Sequence, residues 1–298
     1  MGSMSKPLAG KLSSSLSRPL DGMGGVVRNT DPLSSIESSA EFDLDVTISD
    51  SFDPDVNNQL WKNLIVSPPS GASQTDYDQY LGGTASPSTD DPTFNGTAGS
   101  PSATWGFDGG DDFLTANGNN TFLNNLHKTD SNKQDFTIIY TGVNASSSLA
   151  NIQMMGTGWA GSSGRQGWGL TFTGSVDRVQ LTHYGDTGSG GSAEYLRIGP
   201  TGAMTPGENF IIGAAFTHST NTAKVWINSG TPTTKVLSIT ASTSNAFFTF
   251  GAFLGEFVLS CGNGVKGRSC SGFNKALNNT EFTNIAERLG HRHEVTYV

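Results

Sequence analysis

Phe42, Leu44, Val46 and Ile48 alternate with Glu41, Asp43, Asp45 and Thr47. That two-residue period predicts a strand with one acidic face, read here as a solvated or edge strand. Trp105, Phe107 and Phe113 alternate with small or polar residues around Asp108-Gly-Gly-Asp111. Glycine there tolerates φ > 0 and aspartate bonds its own backbone, so the stretch predicts a strand, a tight turn and a return strand. Further strand patterns cover Leu64–Val66, Asp135–Thr141, Trp168–Thr173, Val176–Tyr184, Phe210–Thr217, Lys224–Asn228 and Phe247–Gly255. In the second of these, Phe136, Ile138 and Tyr140 share one face. One helix stands out near the C-terminal end. Asn278 with Glu281 three residues on is a helix start, and Phe282, Ile285, Ala286 and Leu289 fall on one helical face. The pattern predicts an all-β, antiparallel sandwich with a short C-terminal helix.

Composition narrows this picture. With 38 glycines and only 14% charged residues in 298, the chain suits many short strands joined by turns. Residues 1–40 read instead as an extended arm: Lys6, Leu8, Lys11, Leu12, Leu16, Arg18, Leu20 and Arg28 are spread through serine- and glycine-rich sequence without a core of their own. Residues 41–60 form the acidic strand and a linker, and 61–298 the main domain, with a Ser/Thr/Gly/Pro excursion over 83–104. The net charge of −9 argues against nucleic acid, which needs clustered cations. No apolar run reaches the length of a membrane-spanning helix, and the first residues carry no hydrophobic signal-peptide core.

Candidate chemistry is sparse. There is no Gly-x-Ser-x-Gly elbow, Walker loop or His-Glu-x-x-His, and the chain is expected not to be an enzyme. His291 and His293 could hold a metal or lie on a surface tail. Asp108, Asp111 and Asp112 are either turn formers or calcium ligands, since hard cations take several oxygens. Cys261 and Cys270 flank a glycine-rich loop and are either a disulfide or two free thiols. Trp159 lies in Gly156-Thr-Gly-Trp-Ala-Gly161, read as a loop, and Tyr184 and Tyr195 flank residues 185–192. These three aromatics are the candidate platform for a sugar's apolar face. Trp105, Trp168 and Trp226 are expected in the core.

Phe107-Asp-Gly-Gly-Asp-Asp-Phe113, together with Gly71-Ala-Ser-Gln74, Thr93-Phe-Asn-Gly-Thr-Ala-Gly-Ser100, Val225-Trp-Ile-Asn-Ser-Gly230 and Asn274-Lys-Ala-Leu277, resembles laminin-G-like, concanavalin-A-like jelly rolls of bacteriophage virion proteins. The resemblance covers about 61–298. It implies a structural protein displayed on capsid or tail and located in the virion. The arm (Lys6, Leu8, Lys11, Leu12, Leu16, Arg18) would bind other virion proteins, and the jelly roll would bind host surface polysaccharide as a homo-oligomer, with calcium the one cofactor in view. A pure decoration protein without ligand is a further possibility. Glu41-Phe-Asp-Leu-Asp45 also resembles the Glu-x-Asp-x-x-Glu strand of jelly-roll glycosidases, without its second Glu, and a polysaccharide-degrading enzyme is the alternative from another class.

Overall fold

A computed structural model describes residues 30–116, 121–126, 133–145, 152–161, 164–173, 178–184, 193–197, 206–228, 231–238, 247–250 and 264–297. Among the described residues, two eight-stranded sheets are built by antiparallel pairing of the named strands. The first runs β14 (Thr233–Val236), β13 (Thr222–Ile227), β12 (Asn209–Thr217), β7 (Phe136–Asn144), β16 (Val265–Phe273), β5 (Thr104–Gly106) and β4 (Thr93–Asn95), with β1 (Ala40–Asp45) also paired to β16. The second runs β11 (Ala193–Arg197), β10 (Arg178–Tyr184), β9 (Gly164–Thr173), β8 (Ile152–Gly161), β15 (Phe247–Phe250), β6 (Leu114–Ala116), β3 (Gln79–Leu81) and β2 (Leu60–Trp61). Two helices are described, α1 (Thr121–Asn125) and α2 (Asn279–His293).

The strand period sorts the apolar residues into two layers. Phe136, Ile138 and Tyr140 of β7 join Trp105, Trp168, Phe172, Phe210 and Ile212 in the core between the sheets. Ile139, pointing the other way, joins Ile211, Ala215 and Trp226 on the outer face of the first sheet. That outer face is covered by α2 through Phe282, Ile285, Ala286 and Leu289, and Phe282 stacks on Trp226 with ring centroids 4.8 Å apart. A Cβ on Gly213 would overlap the Phe282 ring, so only glycine lets the helix sit this close. The helix begins at the predicted cap: Asn278 accepts from the Glu281 N–H at 3.0 Å, and Glu281 accepts from the Asn278 N–H at 2.9 Å.

Five sequence expectations are corrected. β5 and β6 do not pair with each other. The Asp108–Asp112 turn crosses from the first sheet to the second, because Phe107 and Phe113 are both drawn into buried positions. Residues 265–270, read as a glycine-rich loop, are most of β16, whose small side chains let β1, β5 and β7 close around it. Trp159 lies on a strand, β8, paired with Gln166. β1 is not solvated: all six of its residues are buried. His291-Arg-His293 is not a surface tail, since Arg292 and His293 are buried at the end of α2.

Cys270, expected to bridge to Cys261, is a free and fully buried thiol, and Cys261 lies outside the described residues. Burial and the nearby Asp43 push the Cys270 thiol well above its usual range. The arm residues Lys6, Leu8, Lys11, Leu12, Leu16 and Arg18 also lie outside the described residues, whereas Leu33, at the end of the stretch read as arm, is buried beneath α2.

Candidate functional site

Three places gather polar chemistry. The first is β1, where Glu41, Asp43 and Asp45 are all fully buried. The Arg292 guanidinium forks across two of them: Nη1 reaches Asp43 Oδ1 and Asp45 Oδ2, and Nη2 reaches Asp43 Oδ2, each at 3.0 Å. Asp43 also accepts from the Leu33 N–H at 3.0 Å and the Ser271 hydroxyl at 3.2 Å. Asp45 accepts from the Thr47 backbone at 2.9 Å and its hydroxyl at 2.7 Å.

His293 Nε2 lies 2.9 Å from Asp45 Oδ2, and its Nδ1 lies 2.7 Å from the Tyr297 hydroxyl. The carboxylate fixes the tautomer with Nε2–H donating, and Nδ1 accepts a hydrogen bond from the Tyr297 hydroxyl. Burial, with Arg292 adjacent, lowers the His293 pKa and keeps the ring neutral. Burial pushes the Asp45 carboxyl up, but His293 and Arg292 outweigh it and hold it well below the usual carboxylate range. Glu41 accepts from Tyr77 at 2.7 Å, Ser70 at 2.6 Å and Asn274 at 2.7 Å. These acids are saturated with partners and shielded from solvent, so they cannot act on a glycoside. Asp43 and Asp45 bind the first strand to the last helix.

The second place is the crossover between the sheets. Carboxylate oxygens of Asp108, Asp111 and Asp112 lie within 4.8 Å of one another, the first two exposed and the third buried. Asp112 Oδ2 accepts from the Asp108 N–H at 2.7 Å, and Asp108 Oδ1 accepts from the Gly110 N–H at 2.6 Å. Burial, then the negative charges of Asp108, Asp111 and Asp91, push the Asp112 carboxyl up to about 6. Three carboxylates match a hard cation, and calcium's remaining ligands would come from carbonyls and water.

A raised folded pKa gives stability that is complete below the unfolded value near 3.8 and lost as pH rises through about 6. Asp112→Asn is therefore expected to raise the melting temperature at pH 7 and to leave it unchanged at pH 4. Thermal scans at the two pH values check this, and equal shifts at both contradict it.

The third place is one end of the second sheet. Cross-strand register sets Gly158 of β8, Gly167 of β9, Tyr184 of β10 and Ala193 of β11 in one row. Trp159 stands in the next row, opposite Gln166, and Tyr195 two positions back, opposite Thr182. The register thus places the three sequence-predicted aromatic positions near one end of this sheet but does not gather them on one face: Tyr184 and Tyr195 lie two rows apart on the paired strands β10 and β11, whereas Trp159, on β8 beyond β9, stands in a row of the other parity, that of Trp168. The predicted core tryptophans, Trp105, Trp168 and Trp226, are fully buried. A separate half-open cleft of about 370 Å³ is lined by Ser49, Asp50, Ser51, Asp53, Val56, Asn57, Leu60 and Lys62.

Two facing antiparallel sheets with a central core and outward loops decide the architecture. The fold is a concanavalin-A-like jelly-roll β-sandwich. The binding domain of botulinum neurotoxin serotype D matches it with a TM-score of 0.53 at 14% identity, over 86% of this chain and 52% of that one. The binding domain of botulinum neurotoxin DC in complex with SialylT matches at 0.51 and 12%, over 84% and 52%. Trypanosoma rangeli sialidase in complex with sialic acid matches at 0.53 and 13%, over 87% and 34%. The chain thus spans about half the length of these structures, or less. At such identities the likeness is one of fold. No protein-family model matches the sequence, and no curated protein matches it.

Sequence reasoning missed Arg292 and His293 as partners of β1. A signal was present. Arg292 follows Ile285 by seven residues and Leu289 by three, and His293 follows Ala286 by seven and Leu289 by four. Both therefore fall on the buried stripe of the helix.

Proposed function

We propose that this sandwich is a non-catalytic carbohydrate-binding domain. The carrying observation is the placement of Tyr184 and Tyr195 on the paired strands β10 and β11, in rows of one parity, near one end of the second sheet. A rigid sheet presenting aromatic positions suits stacking against sugar rings. The sandwich fold, seen also in toxin binding domains and in one structure bound to SialylT, supports the reading by analogy of fold. So does the acid-rich strand, the sequence's best candidate for glycosidase chemistry, whose carboxylates are buried and committed to Arg292, His293 and Tyr77. The sialidase likeness is the argument on the other side.

The sequence resemblance to phage virion jelly rolls supports a setting on a capsid or tail, with the basic, leucine-punctuated arm as anchor. Electron microscopy of the assembly carrying this chain, labelled on the sandwich, tests that setting. The crossover aspartates would supply a calcium site that rigidifies the turn.

Replacing Tyr184 with Ala is expected to weaken retention on a polysaccharide column at least tenfold while the melting temperature stays within about 2 °C of the parent. Retention unchanged in this variant removes Tyr184 from the site. Release of reducing sugar by the parent protein, lost on changing a single carboxylate, replaces the binding reading with the enzymatic one.

A further inference from the structure

β16 carries a bulge. Gly267 pairs with Gly142 and Ser269 with Thr141, leaving Arg268 as the extra residue. A bulge re-aims the side chain it inserts, and bulges recur beside functional sites. Arg268 is 7% exposed, yet among the described residues the arginine ion pairs are made by Arg288 and Arg292, and Arg268 makes none. Its Nη1 donates to the neutral Asn209 Oδ1 at 2.5 Å, and its Nε has no hydrogen-bond partner. Around it stand groups without negative charge: the Asn209 amide, the Tyr297 hydroxyl and the neutral ring of His293. The nearby carboxylate of Asp45 is already committed to Arg292, His293 and Thr47.

A guanidinium has five donors in a fork shaped for a planar or tetrahedral oxyanion. Burying that charge without a counter-charge leaves an uncompensated desolvation cost, which an incoming anion relieves. We propose that Arg268 anchors an oxyanion-binding site on the outer face of the first sheet, beside the C-terminal end of α2, taking the carboxylate of a sugar acid or a sulfate or phosphate group. Asn209 holds the fork in place, and the exposed sliver of Arg268 is the point of entry. Lys266, exposed two residues earlier on the same strand, adds positive charge near that entry. This site is separate from the Tyr184 and Tyr195 rows and stands without the carbohydrate reading.

The test is a thermal shift of the full chain with sodium glucuronate, sodium sulfate, sodium phosphate and neutral glucose, each against sodium chloride of equal ionic strength. At least one of the three anions is expected to raise the melting temperature by roughly 2–4 °C, with glucose inert. A response to glucuronate alone identifies a sugar acid, and a response to sulfate or phosphate identifies the tetrahedral anions.

Arg268→Gln is expected to abolish the shift. Asn209→Asp puts a carboxylate on the fork itself, so this variant should melt higher than the parent and lose the anion response. It also keeps the test decisive if Arg268→Gln does not fold. No shift with any anion beyond the chloride control, or a shift that survives in Asn209→Asp, overturns the proposal.

Discussion

Arg292→Ala is expected to destabilise the fold by about 3–5 kcal/mol, because it strands the Asp43 and Asp45 carboxylates in a site with no solvent. Equilibrium denaturation by urea at pH 7 measures it. Arg292→Lys keeps the charge but not the fork that serves both acids, and should fall between parent and Ala. The pH dependence carries a sign. The folded pKa of Asp45 is depressed, so its contribution is present above about 3.8 and lost as pH falls toward the folded value. The folded pKa of His293 is also lowered, so its contribution is present above about 6.5 and lost on acidification below that. His293 is present in both proteins and Asp45 keeps its contribution down to about 3.8, so the gap between parent and Arg292→Ala should hold at pH 4 and narrow at pH 3. A gap that stays constant or widens at pH 3 contradicts the ion-pair account, and a loss below 1 kcal/mol at pH 7 contradicts the burial.

Trp105→Ala is expected to cost a comparable 3–5 kcal/mol. Trp105 is fully buried between the sheets and meets Phe52, Trp61 and Phe94 at centroid distances of 4.6, 5.8 and 5.9 Å. Removing the indole empties the meeting point of β2, β4 and β5 with the segment carrying Phe52. Trp105→Phe should cost much less: a ring still fills part of the space, and the indole N–H it deletes has no hydrogen-bond partner. Denaturation midpoints of the two variants compare them directly. Equal losses for Phe and Ala indicate that the ring contacts, and not the cavity, set the cost.

The local periods were legible because they are local. The helix start at Asn278, the hairpin of Phe210–Thr217 with Lys224–Asn228, and the inward face of Phe136, Ile138 and Tyr140 all follow from residues a few positions apart. What failed depended on distant partners. The alternation around Asp108 shows two strands and a turn, but both a hairpin and a crossover between sheets satisfy it, and β4, β16, β3 and β15 decide between them. Likewise the acidic face of β1 reads as solvated until a buried arginine 249 residues away is placed against it. The aromatic candidates were visible as residue types. Their sorting, with Tyr184 and Tyr195 in rows of one parity and Trp159 in a row of the other, was not, because the register of β8, β9, β10 and β11 fixes it.

The clasp between β1 and α2 also sets an order of events at the ribosome. Asp43 is synthesised 249 residues before Arg292, which at about 5–20 residues per second is a delay of roughly 10–50 s. For most of that interval β16 and α2 do not exist, so the acidic strand has neither its sheet partner nor its counter-ion. Its charges keep it hydrated and hold it back from pairing with the edges of other nascent chains. The same carboxylates that the finished fold must neutralise thus keep the unfinished chain soluble until the helix arrives.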